Sequence, residues 1–189
     1  MASSFIYRPH VQTLDGVVTP DVLIDSLMLA AKGEAKLLPV PIDRITMDIE
    51  MQAAGTGNGP DAALALIGAG AGTLLSIASN HGEPGGPAAR LACAKPICRH
   101  AWRLADVAAH LSDLILKTAV IDGTETKILQ EGSLGDCLDL NTGEVSAGAA
   151  VLCTGLPSAD PDSGHNFQIE MTDPVLERCL RFQYWAREI

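Results

Sequence analysis

The sequence predicts a mainly β, α+β protein, a mixed roll or sandwich of short strands with about two helices. Two observations support this class. Apolar and polar residues alternate in several short segments, and turns rich in Gly and Pro separate these segments at close spacing. The chain has 189 residues, of which 47% are hydrophobic and only 4% aromatic. We therefore expect one domain over residues 1–189 with an aliphatic core.

Two segments carry helix signals. Thr19 is a suitable N-cap, Pro20 occupies the first helical position and Gly33 provides a stop, so a helix is predicted over 19–33. Residues 104–111 follow with a second helical pattern. No other segment combines helical periodicity with such boundaries.

Period-two alternation or a short apolar run predicts each strand. The predicted strands are 44–51, 63–67, 73–78, 114–121, 149–153, 167–171 and 175–185. Two prolines make 37–41 an extended connector, and turns are expected at 122–123 and 139–144. The glycine cluster at 68–72 lacks the Lys-Ser/Thr pair of a phosphate loop, so we interpret it as a hairpin loop. Residues 80–90 form a long irregular loop, a type of segment that often carries sites.

Composition restricts the partners. A formal net charge of −10 without a basic cluster argues against a nucleic acid. No apolar run approaches the roughly 18 residues of a membrane span, and the first ten residues do not read as a signal peptide. We expect a cytoplasmic protein without a membrane partner. The five cysteines contain no CxxC pair, which predicts reduced, mostly buried thiols.

Six short strings carry a family resemblance. They are SNHGE at 79–83, CAKP at 93–96, LADV at 104–107, LQEGSL at 129–134, VLCTGLP at 151–157 and DPVL at 173–176. Their order and spacing resemble domain-of-unknown-function family 2848, which looks like a distant branch of the fumarylacetoacetate hydrolase superfamily. The resemblance extends from Ser76 to the C-terminus and implies a fumarylacetoacetate hydrolase-like fold.

The resemblance implies a catalytic role for His81, Glu83 and Lys95. The first string is similar to the histidine–glutamate loop of the superfamily. A carboxylate such as Glu83 can orient an imidazole and raise its basicity, so that His81 deprotonates water or a carbon next to a carbonyl. Lys95 resembles the superfamily lysine that contacts a carboxylate or enolate of the substrate, where a cation stabilises developing negative charge.

The resemblance also implies that four further residues bind the substrate. Gln130 and Glu131 follow a predicted strand, and Glu131 is a candidate metal ligand or partner of the base. Thr154 and Gly155 resemble the superfamily loop that holds a substrate carboxylate, although the order here is Thr-Gly instead of Gly-Thr.

The superfamily also implies a Mg²⁺ or Mn²⁺ ion held by several acidic oxygens. The usual Glu-x-Glu strand is absent from this chain. Asp48 and Glu50 precede the His81 loop instead of following it, and Asp113 is the best-placed single acid. Two alternatives therefore stay open, a bound Mg²⁺ or Mn²⁺ ion and a site with no cofactor.

These observations predict an enzyme that acts on a small keto- or enol-acid by tautomerisation, decarboxylation, cyclisation or C–C hydrolysis. The resemblance implies a homodimer. One alternative is a catalytically degenerate binding or assembly subunit with the same fold. Another is a metal-free cyclase or isomerase of a biosynthetic pathway.

Overall fold

Strands dominate the structure. The computed structural model describes residues 3–30, 36–47, 50–53, 60–81, 93–137, 144–156 and 166–188. Its strands are β1 (Phe5–Tyr7), β2 (His10–Thr13), β3 (Gly16–Val18), β4 (Val22–Ile24), β5 (Ser26–Ala30), β6 (Leu38–Val40), β7 (Ile45–Thr46), β8 (Glu50–Ala53), β9 (Ala62–Ala69), β10 (Gly72–Ser79), β11 (Lys95–Pro96), β12 (His100–Arg103), β13 (Ile115–Asp122), β14 (Glu125–Ser133), β15 (Ala149–Leu156), β16 (Asn166–Asp173) and β17 (Arg178–Glu188). Its helices are short: α1 (Leu104–Val107), α2 (Leu134–Cys137) and two 3-10 segments, Ile42–Arg44 and Ala108–Asp113.

Two large sheets pack face to face. The first has eight strands in the order β3-β2-β12-β10-β9-β15-β5-β6, and the second has five in the order β14-β13-β16-β17-β8. Two further pairs, β1-β4 and β11-β7, accompany them. The described chain is therefore mainly β, as the sequence predicts.

Alternation along the central strands separates two cores. Leu64 and Leu66 of β9 face the five-stranded sheet, where they pack with Ile169 and Leu180. Alternate residues of β9, such as Ile67, face the other side of the eight-stranded sheet and pack into a second core. We call these the inter-sheet core and the outer core.

The hairpin predicted around the glycine cluster is confirmed. β9 and β10 pair antiparallel from Gly72 opposite Ala69 to Ser79 opposite Ala62. Gly72 has a φ of +122°, which favours glycine. A Cβ at Gly68 would lie 1.9 Å from the carbonyl oxygen of Ser146, so only glycine permits that close approach. The cluster thus serves a tight hairpin and its packing.

The helix predicted over 19–33 is wrong. Its described part forms β4 and β5, and residues 31–35 lie outside the described residues. Val22 and Ile24, and then Leu27 and Leu29, are buried at every second position. β4 pairs with β1, and β5 pairs with β15 in parallel. Pairing with distant strands overrides the local helix signals.

The strand predicted over 44–51 is also corrected. A 3-10 turn ends at Arg44, and two short strands follow instead of one. β7 pairs with β11, whereas β8 pairs with β17, so the segment is divided between two partners. The connector at 37–41 contains β6, and the turn predicted at 139–144 lies almost entirely outside the described residues.

The other predicted elements are confirmed with small shifts. α1 and the 3-10 segment after it occupy the predicted helix at 104–111. The remaining predicted strands correspond to β13, β15, β16 and β17. All five cysteines are free, and three of them are buried. Within the described ranges, no helix combines the length and apolar character that crossing a membrane requires.

Candidate active site

His81 is the second residue after the end of β10 and is fully buried. Its Nδ1 lies 2.8 Å from the hydroxyl of Tyr184, which in turn lies 2.9 Å from Ser79 Oγ. Ser79 and His81 are two residues apart, so the strand pleat directs both toward the same side of the sheet. Tyr184 belongs to β17 in the opposing sheet. The three groups therefore form a hydrogen-bonded chain that joins the two sheets.

Aromatic rings hold the imidazole in place. The His81 ring lies 5.7 Å from the Tyr184 ring at an interplanar angle of 83° and 5.8 Å from the Phe167 ring, measured between centroids. The Phe182 ring stacks on the Tyr184 ring, with 6.0 Å between the two centroids. Such edge and stacked contacts restrict ring rotation. His81 is thus fixed in a largely apolar enclosure.

Tyr184 keeps its proton at physiological pH. Burial raises the pKa of its hydroxyl far above the usual value of 10, the Ser79 hydrogen bond offsets only part of this rise, and the negative charge of Asp61 adds to it. A neutral hydroxyl can donate to Nδ1 of a neutral imidazole while it accepts from Ser79. It can equally accept from Nδ1–H of a protonated imidazole while it donates to Ser79. Either charge state of His81 is therefore hydrogen-bonded.

Sequence reasoning missed both Tyr184 and Asp61. Tyr184 lies on the predicted tail strand at the same alternating positions as Leu180, which marks it as inward-facing. Asp61 directly precedes the apolar run of β9 and is buried. Its carbonyl oxygen accepts a hydrogen bond of 2.8 Å from the amide of Asn80. The position of Asp61, an acidic residue at the start of an entirely apolar strand, is the sequence signal that could have indicated a buried carboxylate.

Lys95 lies at the same end of the eight-stranded sheet as His81. It is buried, with 1% of its surface exposed, on β11 beside β10. Ala78 bridges Ile97 in antiparallel fashion, and continuing this register places Lys95 opposite Asn80. The Asn80 side-chain Oδ1 is buried and has no hydrogen-bond partner among the described residues. A buried cation and an unsatisfied amide oxygen thus accompany His81.

Thr154 and Gly155 lie near the end of β15. Thr154 pairs with Ala63, which pairs with Ala78, so it stands level with the end of β10 but two strands away, roughly 10 Å between Cα atoms. Its hydroxyl donates to the carbonyl oxygen of Ala30 at 3.3 Å. A Cβ at Gly155 would lie 2.9 Å from Leu116 Cδ2. Close packing against Leu116 therefore accounts for a glycine at this position.

The structure does not bring Gln130 and Glu131 to His81. They lie on β14, three strands from β17, a separation of roughly 14 Å. The Glu131 carboxylate is 3.1 Å from Lys117 Nζ on a partly exposed face. Lys117 pairs further with Glu170 on the next strand. Glu131 is therefore part of a row of ion pairs on the five-stranded sheet.

The two remaining predicted components are Glu83 and a divalent metal ion. Glu83 lies outside the described residues. In the part of the chain that the structure describes, no three His, Cys, Asp or Glu side chains gather as a divalent ion would require.

A second histidine makes a contrasting contact. His110 Nε2 lies 3.0 Å from Oδ1 of Asp173, a buried carboxylate. The backbone amides of Val175 and Leu176 donate to the same oxygen, and Arg178 donates to the other. Burial works to raise the pKa of Asp173, but these hydrogen bonds outweigh it and lower the pKa below its ordinary value. We call this set the Asp173 cluster.

Comparison with known proteins supports the fold and assigns the family. No curated protein matches the sequence significantly. Two crystal structures of Cg1458 are similar. One, determined with an inhibitor, has a TM-score of 0.59 at 13% identity and covers 93% of this chain and 82% of Cg1458. The other has a TM-score of 0.61 at 11% identity, with coverage of 98% and 100%. The model of the protein family of unknown function DUF2848 matches residues 24–184, and the chain belongs to this family.

Proposed function

We propose that this chain is an enzyme of the fumarylacetoacetate hydrolase type that acts on a small keto- or enol-acid by acid-base chemistry at His81. The observation that carries the proposal is the buried chain from His81 through Tyr184 to Ser79. It orients the imidazole and accommodates both of its charge states. A general acid-base residue needs this property, because it must be protonated and deprotonated in each turnover.

The reaction begins with removal of a proton from the carbon next to a carbonyl group. His81 takes this proton at Nε2, since Nδ1 faces Tyr184; the reacting neutral imidazole is therefore the Nδ1–H tautomer, which donates to the Tyr184 hydroxyl. The electron pair of the broken C–H bond forms an enolate, and the ammonium of Lys95 stabilises its negative charge. Return of the proton to oxygen or to another carbon completes a tautomerisation. In decarboxylation or C–C cleavage an enolate forms instead when the C–C bond breaks and its electron pair stays on the carbon next to the carbonyl; protonated His81 then donates a proton to that carbon.

Other residues would hold the substrate. Lys95 and Thr154 are suited to its carboxylate, and Glu83 is the proposed orienting partner of His81. The six sequence strings support the superfamily assignment, and the fold similarity to Cg1458, a protein crystallised with an inhibitor, is compatible with it. Fold similarity alone does not determine chemistry, so the proposal depends on the residues.

Proton exchange at carbon tests the proposal without knowledge of the final product. The protein is incubated in D₂O with pyruvate, oxaloacetate or acetopyruvate, and proton NMR follows deuterium incorporation next to the carbonyl. We expect exchange above the buffer rate for at least one acid. His81→Ala should lower the enzymatic rate about 100-fold or more.

The matched control is His10→Ala, since His10 is exposed on β2. This variant should retain the exchange rate. A folded His81→Ala protein with wild-type exchange would refute the proposal. Absence of exchange by the wild-type protein with every keto-acid tested would favour the degenerate binding subunit.

Metal content then separates two reaction classes. Elemental analysis of the purified protein that finds stoichiometric magnesium or manganese would favour C–C hydrolysis or decarboxylation. Full exchange activity in protein without a stoichiometric metal would favour a tautomerase, cyclase or isomerase.

A further inference from the structure

A cleft lies beside β17, and His81 is not among the described residues that line it. Its volume is about 410 Å³, within the range of small-molecule sites. One wall is formed by residues 97–100, and the other by β17 residues 181–183 together with Trp185. β8 accompanies β17 only from Trp185 onward, so the cleft lies alongside the preceding part of the strand.

The charged groups that line the cleft are cationic. Arg99 and Arg181 both line it, and no carboxylate does so among the described residues. Arg99 is exposed and forms no ion pair with any described residue. Arg181 forms an ion pair with Glu170, whose Oε2 lies 2.6 Å from its Nε and 2.5 Å from its Nη2, and the guanidinium has further donors available. The charge of Arg99, which no described carboxylate neutralises, and the remaining donors of Arg181 favour an anion at this cleft, even though the protein has a net charge of −10.

The rest of the lining is apolar or neutral. Met47, Ile97 and Phe182 contribute hydrophobic surface. Trp185 leaves 49% of its surface exposed at the cleft, although Trp is usually well buried. Burial and the neighbouring His10 lower the pKa of His100, so this side chain contributes hydrogen bonds at neutral pH instead of charge.

We propose that this cleft is a second ligand site, which binds a small carboxylate carried on an aromatic or branched apolar body. The carboxylate pairs with Arg99 and Arg181, and the apolar body packs against Trp185 and Phe182. Arg and Trp are the residue types that contribute most at binding sites of this kind. The described lining contains none of His81, Ser79 and Tyr184, so the proposal does not depend on the function proposed for His81, although Phe182 also stacks on Tyr184.

Trp185 supplies the measurement. The chain has two tryptophans, and the other, Trp102, is completely buried. The probe is 3-phenylpropionate, which has no keto group, and the control ligand is the neutral 3-phenylpropionamide. We expect 3-phenylpropionate to change the tryptophan fluorescence saturably and the amide to bind at least about tenfold more weakly, because a charge-assisted hydrogen bond is lost.

Variants locate the site. Arg99→Gln should weaken 3-phenylpropionate binding about tenfold, whereas Arg103→Gln, an exposed arginine outside the cleft, should bind as wild type. Trp185→Phe should abolish the fluorescence change. Equal affinity for acid and amide, or wild-type affinity in Arg99→Gln, would overturn the proposal. A fluorescence change produced by raising the protein concentration alone would also overturn it, since a second copy would then cover the cleft.

Discussion

His81 and His110 each form a hydrogen bond to a side chain on a distant strand, but the two partners differ in charge. His110 contacts the ionised carboxylate of Asp173, which also accepts hydrogen bonds from two backbone amides and from Arg178. His81 instead forms a hydrogen bond to the neutral hydroxyl of Tyr184, which is itself hydrogen-bonded to Ser79. One set is centred on a charge, and the other contains hydroxyls that can reverse direction.

This difference separates a structural role from a chemical one. A carboxylate with four donors holds its neighbours in one arrangement, and removal of any donor leaves buried charge less well compensated. A chain of neutral hydroxyls stabilises the two charge states of an imidazole more evenly. We therefore expect the Asp173 cluster to contribute mainly to stability, whereas the proposed proton transfer depends on His81.

The largest expected effect is on stability. Asp173→Ala leaves Arg178 and two amides without their acceptor, which should lower the free energy of unfolding by about 3–4 kcal/mol. Urea denaturation measures the change. Asp113→Asn, at an exposed aspartate, is the control and should change it by less than about 0.5 kcal/mol. A loss below about 1 kcal/mol in Asp173→Ala would show that the cluster is not a stabilising centre.

A matched pair of glutamine variants tests the assignment of activity. His81→Gln should lower keto-acid exchange about 100-fold or more, because glutamine cannot transfer the proton. His110→Gln should retain the exchange rate but lose about 1–2 kcal/mol of stability. The same NMR and urea measurements are used for both proteins. The comparison fails if the two variants lose equal activity.

Tyr184 should act as a positioning residue. Tyr184→Phe keeps the ring but removes the hydroxyl between His81 and Ser79, so we expect about a tenfold lower exchange rate and about 1–2 kcal/mol lower stability. Its pH–rate profile should also shift, because the Nδ1–H of the protonated imidazole forms the stronger hydrogen bond to this hydroxyl and loses more when the hydroxyl is removed. Ser79→Ala should have a smaller effect on rate. An unchanged pH profile in Tyr184→Phe would indicate a purely structural tyrosine.

The smallest effects appear at the extremes of pH. The pKa of Asp173 is lowered by folding, so its stabilising contribution is complete above the unfolded value of about 3.9 and is lost as the pH falls below it. The pKa of Tyr184 is raised, so its contribution is complete below about 10 and is lost as the pH rises. The free energy of unfolding of Asp173→Ala, measured as a function of pH, should approach that of the wild-type protein only at acidic pH.

At alkaline pH the corresponding test uses Tyr184→Phe. This variant should approach wild-type stability above pH of about 10, because it lacks one hydroxyl that must stay protonated. Tyr7 is a second buried tyrosine with a raised pKa, and Tyr7→Phe provides the comparison. A constant difference from wild type across this range would contradict the assigned pKa shift of Tyr184.

Local patterns predicted the elements whose partners are close in sequence. The β9–β10 hairpin depends on adjacent apolar runs and a glycine turn, and both are visible in the sequence. The tail strand was predicted because its residues alternate. The segment 19–33 failed because β5 is defined by pairing with β15, more than a hundred residues away. Its N-cap and stop signals act only locally, and parallel pairing with a distant strand outweighed them.

The sequence by itself determined the mainly β class, the hairpin and the choice of His81 as the central site residue. Only the tertiary structure decided what His81 touches. Its partner Tyr184 lies 103 residues away, and the two meet because opposing sheets pack their inward faces together. Within the five-stranded sheet, the pairing of β13 with β14 places Glu131 opposite Lys117, with which it forms an ion pair. Residue type and periodicity identify which side chains can act, whereas sheet order and register determine which of them meet.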